Sequence, residues 1–141
     1  MTQEEALEIA NGNKEAAGLL VSFDAFCGVL DDVFDKDKEV SDVRLVDRVE
    51  PFIEDLLLNP FVQANRVVLW PIIVSAFNAW LDANRWQRDG TPQQQQAADV
   101  LKGQYHEFFY FVARLCGGRN HMRLITTKHR RYDYDYKGAT K

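Results

Sequence analysis

Three aspartates, Asp31, Asp32 and Asp35, crowd the end of an apolar run that reads GVLDDVFD. On a helix Asp31 and Asp35 stand one turn apart, with Asp32 beside them and Asp24 and Gly28 farther back on the same stripe. Like charges at that spacing destabilise a helix by roughly a few tenths of a kcal/mol per pair, and the negative end of the helix dipole adds to the penalty. Two readings account for the cluster. A divalent cation between the carboxylates reverses both penalties; Mg²⁺ takes oxygen ligands and typically bridges carboxylates to a phosphate. Alternatively, the aspartates mark where an apolar helix enters water. Gly28 leaves the stripe open to a ligand or to a second backbone.

A metal site would be completed from facing helices. Asn78 and Asp82 lie one turn apart where an apolar pattern turns polar, and His106-Glu107 interrupts another apolar run. Arg114 falls two turns beyond Glu107 on nearly the same face. The candidate Mg²⁺ ligands are therefore Asp31, Asp32, Asp35, Asn78 and Glu107. Arg114 and Lys102 are the candidate phosphate-binding cations, and Asp24, Asp82 and His106 are further polar groups near the site. In a hydrolase of this kind a metal-activated water would be the nucleophile. Each residue also has a structural reading. Glu107 can pair with Arg114 or Lys102, and Asn78 and Asp82 can mark a helix leaving the core. His106 can be a packed histidine, and Trp70, Trp80 and Trp86 can be core packing. The segment from Asp35 begins like a calcium loop, but Val40 stands where glycine is required and Val46 where a bidentate glutamate should be.

Helices must position these groups. The spacing predicts a short helix over Gln3–Ala10, a break at Asn11-Gly12-Asn13, and a long helix over Lys14–Asp35. Ser41 caps a second long helix, which Pro51 should kink or split. Asn59-Pro60 opens a third, running to about Gln87 and apolar nearly all round as far as Phe77, the pattern of a helix in the middle of a bundle. Thr91-Pro92-Gln93-Gln94 is a capping box for a fourth, which should stop at Gly117-Gly118. The expected fold is all-α: a bundle of four main helices with short connections over residues 1–118, then an irregular basic tail over 119–141. Leu124 and Ile125 can dock as a small cap, and residues 132–136 alternate like a strand.

The segment DDVFD resembles the DDxxD motif of the all-helical isoprenoid (terpene and prenyl) synthases. That resemblance implies that Asp31, Asp32 and Asp35 hold Mg²⁺ against a substrate diphosphate, with Asn78/Asp82 or Glu107 in the facing motif. Over most of its length the chain is similar to small uncharacterised phage-encoded proteins. The likeness rests on Asn11–Asn13, Asp31–Asp35, Asn59–Phe61, Asn78–Trp80, Tyr105–Glu107 and Gly117-Gly118. It implies that Asp31, Asp32, Asp35, Asn78 and Glu107 form one constellation. Asp31-Asp32-x-x-Asp35 followed by Asp47-x-x-Glu50 also resembles the acidic motifs of the all-α NTP pyrophosphohydrolases.

The 141 residues suit one domain, with enough apolar and aromatic residues to bury a core. After residue 118 there are seven Lys/Arg against two Asp, which leaves ten basic and nineteen acidic side chains before it. An acidic body thus carries a basic tail, which can touch nucleic acid or fold back on the body. Cys27 and Cys116 have no metal-binding or CxxC spacing and read as buried free thiols of a reducing cytoplasm, the host's if the chain is phage-encoded. No signal peptide is visible, and the apolar run Val67–Phe77 is too short to span a bilayer. Two function classes follow. One binds or hydrolyses a diphosphate-bearing small molecule with Mg²⁺ as cofactor. The other is a non-enzymatic accessory protein that binds a protein partner, a second copy or nucleic acid through its tail or an aromatic face.

Overall fold

A computed structural model describes residues 1–35 and 39–130 of the chain, and within them every regular element is helical. Helix α1 (Gln3–Ile9) leads into α2 (Lys14–Asp35) through a turn in which Asn11 and Gly12 take left-handed backbone angles. Asn13 caps α2, its side-chain oxygen accepting from the Ala16 amide at 3.0 Å. Helices α3 (Asp42–Leu58) and α4 (Pro60–Asp89) are capped by Ser41 and Asn59, the positions the sequence marks. Both run unbroken through Pro51 and Pro71. Thr91 and Gln94 form the expected reciprocal cap of α5 (Pro92–Lys102).

Two expectations are corrected beyond that point. The fourth main helix is not continuous: a 3-10 turn at Gly103–Tyr105 separates α5 from α6 (His106–His129). Residues 119–129 are helical rather than irregular. Gly118, at φ +84°, breaks α6 with a left-handed residue, and helical geometry resumes immediately. The second half of α6 packs back on α1. His121 meets the Ile9 carbonyl at 3.0 Å and Lys128 donates to Glu8 at 2.7 Å; of the two residues expected to dock as a small cap, Ile125 is buried and Leu124 is exposed. The fold-back of basic residues onto the acidic body is therefore real as far as Arg130. The strand-like alternation at 132–136 lies outside the described residues.

The core is centred on Phe23, fully buried, whose ring lies 4.3 Å from Phe108, 5.3 Å from Phe52 and 5.9 Å from Phe109. Those partners come from α3 and α6, so one aromatic side chain of α2 joins three helices. Helix α4 packs on α5, α3, α2 and α6 through Leu69, Ile73, Ala76, Ala79 and Ala83. It is not the all-round buried helix its composition predicts. Its opposite face leaves Val67 81%, Trp70 55%, Val74 44% and Leu81 61% exposed.

Candidate functional site

The carboxyl end of α2, the middle of α4 and the end of α5 meet where the sequence places its acidic cluster. Asp31 Oδ1 accepts a hydrogen bond from Trp80 Nε1 at 2.7 Å. The Lys102 ammonium stands 3.4 Å from Asp31 Oδ1 and 3.7 Å from Asp35 Oδ1. Lys102 also donates to Gln87 Oε1 at 3.4 Å and lies 5.1 Å from the centre of the Phe34 ring, which itself packs edge-on against Trp80. The Lys102 side chain is 15% exposed, whereas the two aspartates are 40% exposed. The two carboxylates do converge on one cation, and that cation is the chain's own ammonium. The ammonium thus makes one hydrogen bond, to Gln87, and two ion pairs, to Asp31 and Asp35.

Beside this cluster lies a cavity of about 150 Å³ lined by Asp24, Cys27, Gly28, Asp31, Trp80 and Tyr105. No atom comes within 4 Å of where a Gly28 Cβ would stand, so this glycine opens the cavity and admits no second backbone. Burial, reinforced by Asp24 and Asp31, pushes the Cys27 thiol and the Tyr105 phenol well above their usual ranges. Both stay protonated at neutral pH, which removes the thiolate a nucleophilic role would need. His106 lines a neighbouring cleft of about 250 Å³ together with Asp24 and Glu107. Burial lowers its pKa, with Asp24 and Glu107 opposing, so its ring is held neutral.

The remaining predicted ligands go elsewhere. Asp32 pairs with Arg44 of α3 at 2.7 Å. Glu107 pairs with Arg130, whose guanidinium also stacks 4.8 Å from the Tyr110 ring. Asp82 pairs with Arg85 one turn along α4 at 3.0 Å, and Asp24 meets the Met1 amino group at 2.8 Å. Asn78 and Arg114 are exposed. The expected constellation of Asp31, Asp32, Asp35, Asn78 and Glu107 is thus not assembled. Among the described residues no three His, Cys, Asp or Glu side chains are placed to hold a metal ion. The residues present do not fit a Mg²⁺–diphosphate centre. Lys102 occupies the focus of the two aspartates, rather than lying opposite them on the phosphate side. Asp32, Asp82 and Glu107 are each drawn off by a basic partner from another part of the chain or one turn away, which is why the set disperses.

Sequence reasoning missed Trp80 and Phe34 as the walls of this cluster. The available signal was the half-buried indole, whose N–H needs an acceptor, on a helix facing an aspartate. It also missed the outer face of α4. Gln63, Val67, Trp70, Val74, Asn78, Leu81 and Arg85 recur at intervals of three and four, and all are exposed. At the amino-terminal half of this face lies an almost wholly apolar groove of about 470 Å³, lined by Leu56, Val62, Val67, Trp70, Ile73 and Phe108. By length and composition α4, at 30 residues, is also apolar enough to cross a membrane, although the Val67–Phe77 run alone is too short. Only 33% of its most apolar stretch is buried.

Compared with family models, curated proteins and solved structures, the chain matches none.

Proposed function

We propose that this protein is a non-catalytic docking module that binds a protein partner through the outer face of α4. The observation that carries the reading is the exposed stripe of Val67, Trp70, Val74 and Leu81 bordering an apolar groove. Scattered exposed hydrophobics are ordinary, but a contiguous helical stripe of them with an aromatic anchor beside a groove is how helix-recognising surfaces are built. The dispersal of the predicted Mg²⁺ ligands supports the same reading. The Asp31–Lys102–Trp80 cluster acts as a clamp that fixes α2 against α4 and α5.

The test is site-specific photo-cross-linking in cells that express the chain. A benzoylphenylalanine at position 67 or 81 is expected to give discrete cross-linked species that a Trp70→Glu substitution removes. The same group at position 43, equally exposed on α3, is expected to give none. Equal yields from both positions, or indifference to Trp70→Glu, would overturn the reading. So would a rise in the melting temperature of the wild-type protein with Mg²⁺ or Mn²⁺ that Asp31→Asn abolishes, since a ligand of the folded state stabilises it.

A further inference from the structure

Gly28 lies in the interior of α2, where glycine is one of the least favourable residues. No atom comes within 4 Å of where its Cβ would stand, so neither a turn nor a neighbouring backbone calls for it. What the missing side chain leaves is room in the cavity of about 150 Å³ between α2, α4 and the 3-10 turn. A cavity of about that volume admits a ligand the size of benzene. Phe77 and Trp80 of α4 and Tyr105 of the turn give it three aromatic walls, and Asp24 and Asp31 line it from α2. Asp24, Asp31 and Asp35 are answered by two ammonium groups, Met1 at 2.8 Å from Asp24 and Lys102 at 3.4 and 3.7 Å from Asp31 and Asp35. One negative charge is left over beside aromatic rings. Asp24 and Asp31 also add to the effect of burial in raising the Cys27 thiol and the Tyr105 phenol, so the interior disfavours an anion.

From this lining we infer that the cavity binds a small quaternary ammonium ion, of the kind carried by choline. The inference does not rest on the outer face of α4, because Phe77 and Trp80 are half-buried toward α2. Three cations of different chemistry compete for such a space. A divalent metal needs several oxygen ligands at about 2.0–2.6 Å, and among the described residues no acidic group of three is placed to supply them. A primary ammonium needs hydrogen-bond acceptors, and these are engaged: Asp31 Oδ1 accepts from Trp80 at 2.7 Å and Asp24 Oδ2 from the Met1 amino group at 2.8 Å. A quaternary ammonium has no N–H to satisfy. It takes its stabilisation from aromatic rings and from unneutralised negative charge, the two things this cavity offers. A neutral molecule of the same shape would fill the space but gain nothing from the charge. The same head group also occurs on phosphatidylcholine, and the experiment separates the free ion from the lipid.

The experiment is calorimetric titration of the full chain with choline chloride up to about 20 mM, at constant ionic strength. Saturable binding with Kd on the order of 1 mM is expected. The uncharged isostere of choline, in which a carbon replaces the nitrogen, is expected to bind at least about tenfold more weakly. Gly28→Ala puts a methyl group into the cavity and is expected to weaken choline binding at least about tenfold without lowering the melting temperature. Asp31→Asn keeps an acceptor for the Trp80 indole, removes the surplus charge, and is expected to weaken binding about tenfold. In proton spectra the trimethylammonium signal of choline should move upfield on binding to wild type and stay in place with Gly28→Ala. Vesicles of phosphatidylcholine should leave the chain in the supernatant. No saturable heat up to about 20 mM choline would overturn the inference. Equal affinity for the uncharged isostere would overturn it, as would unchanged affinity in either Gly28→Ala or Asp31→Asn. Capture by the vesicles without binding of free choline would overturn it in favour of a lipid head group.

Discussion

Replacing Lys102 by methionine keeps the stem that packs near Phe34 and deletes the charge that Asp31 and Asp35 share. At separations of 3.4 and 3.7 Å each attraction is about 1 kcal/mol in a fully aqueous dielectric, and measured exposed pairs contribute ~0.2–1 kcal/mol. The aspartates are 40% exposed, so the upper part of that range applies and no more. Loss of two such pairs, plus roughly a few tenths of a kcal/mol of unrelieved repulsion one turn apart on α2, gives a destabilisation of about 1.5–2 kcal/mol. Unfolding entropy of about 2 cal/mol/K per residue converts this into a melting temperature lower by about 5–7 °C for a chain of 141 residues. The assay is calorimetry at pH 7 at low ionic strength and again at about 1 M salt, where the Debye length falls to about 3 Å. Screening weakens the attraction in wild type and the repulsion in the variant, so the gap between the two proteins should narrow at high salt. A gap of equal size at both salt concentrations would show that Lys102 matters through packing, and would refute the account of the cluster as a charge clamp. A double-mutant cycle with Asp35→Asn should return a coupling of about 0.5 kcal/mol or more; additivity within error would count against it equally.

Other substitutions test the scaffold. Phe23→Ala removes the ring shared by α2, α3 and α6 and should cost about 3–5 kcal/mol by denaturant titration; a loss under about 1 kcal/mol would mean the core is not organised around it. The two open glycines should respond oppositely, because a Cβ meets no atom within 4 Å at either Gly28 or Gly118 but Gly118 sits at φ +84°. Gly28→Ala should stabilise by up to about 1 kcal/mol through helix propensity, whereas Gly118→Ala should destabilise by about 1 kcal/mol or more through backbone strain. Equal responses in thermal melts would place α6's break elsewhere. Burial lowers the pKa of His106 from 6.5, so the unfolded chain binds the proton first as pH falls. Its contribution is present above pH 6.5 and is lost as pH drops through the depressed folded value. Melting temperature should therefore fall more steeply between pH 7 and 5 in wild type than in His106→Gln; parallel profiles would refute the assignment.

Local physics determined most of the elements. Ser41, Asn59 and Thr91 cap the helices they were expected to cap, and the apolar spacing of Lys14–Asp35 yields the one face that carries Phe23. Those signals are contained in a few consecutive residues, so they survive without knowledge of the fold. The convergence of Asp31 and Asp35 was legible for the same reason: one turn of helix sets it. The identity of the cation between them was not, because Lys102 arrives from a helix nearly seventy residues along the chain, delivered by how α4 and α5 pack. Glu107 shows the converse. Its candidacy rested on its place in an apolar run, and only the tertiary structure brings Arg130, from the far end of α6, against it. The outer face of α4 shows it most plainly. Composition made the helix apolar nearly all round as far as Phe77, and apolar residues favour burial wherever partners exist, but only tertiary packing decides how many neighbours surround a helix. Here α2, α3, α5 and α6 cover one side, and Val67, Trp70, Val74 and Leu81 are left on the other.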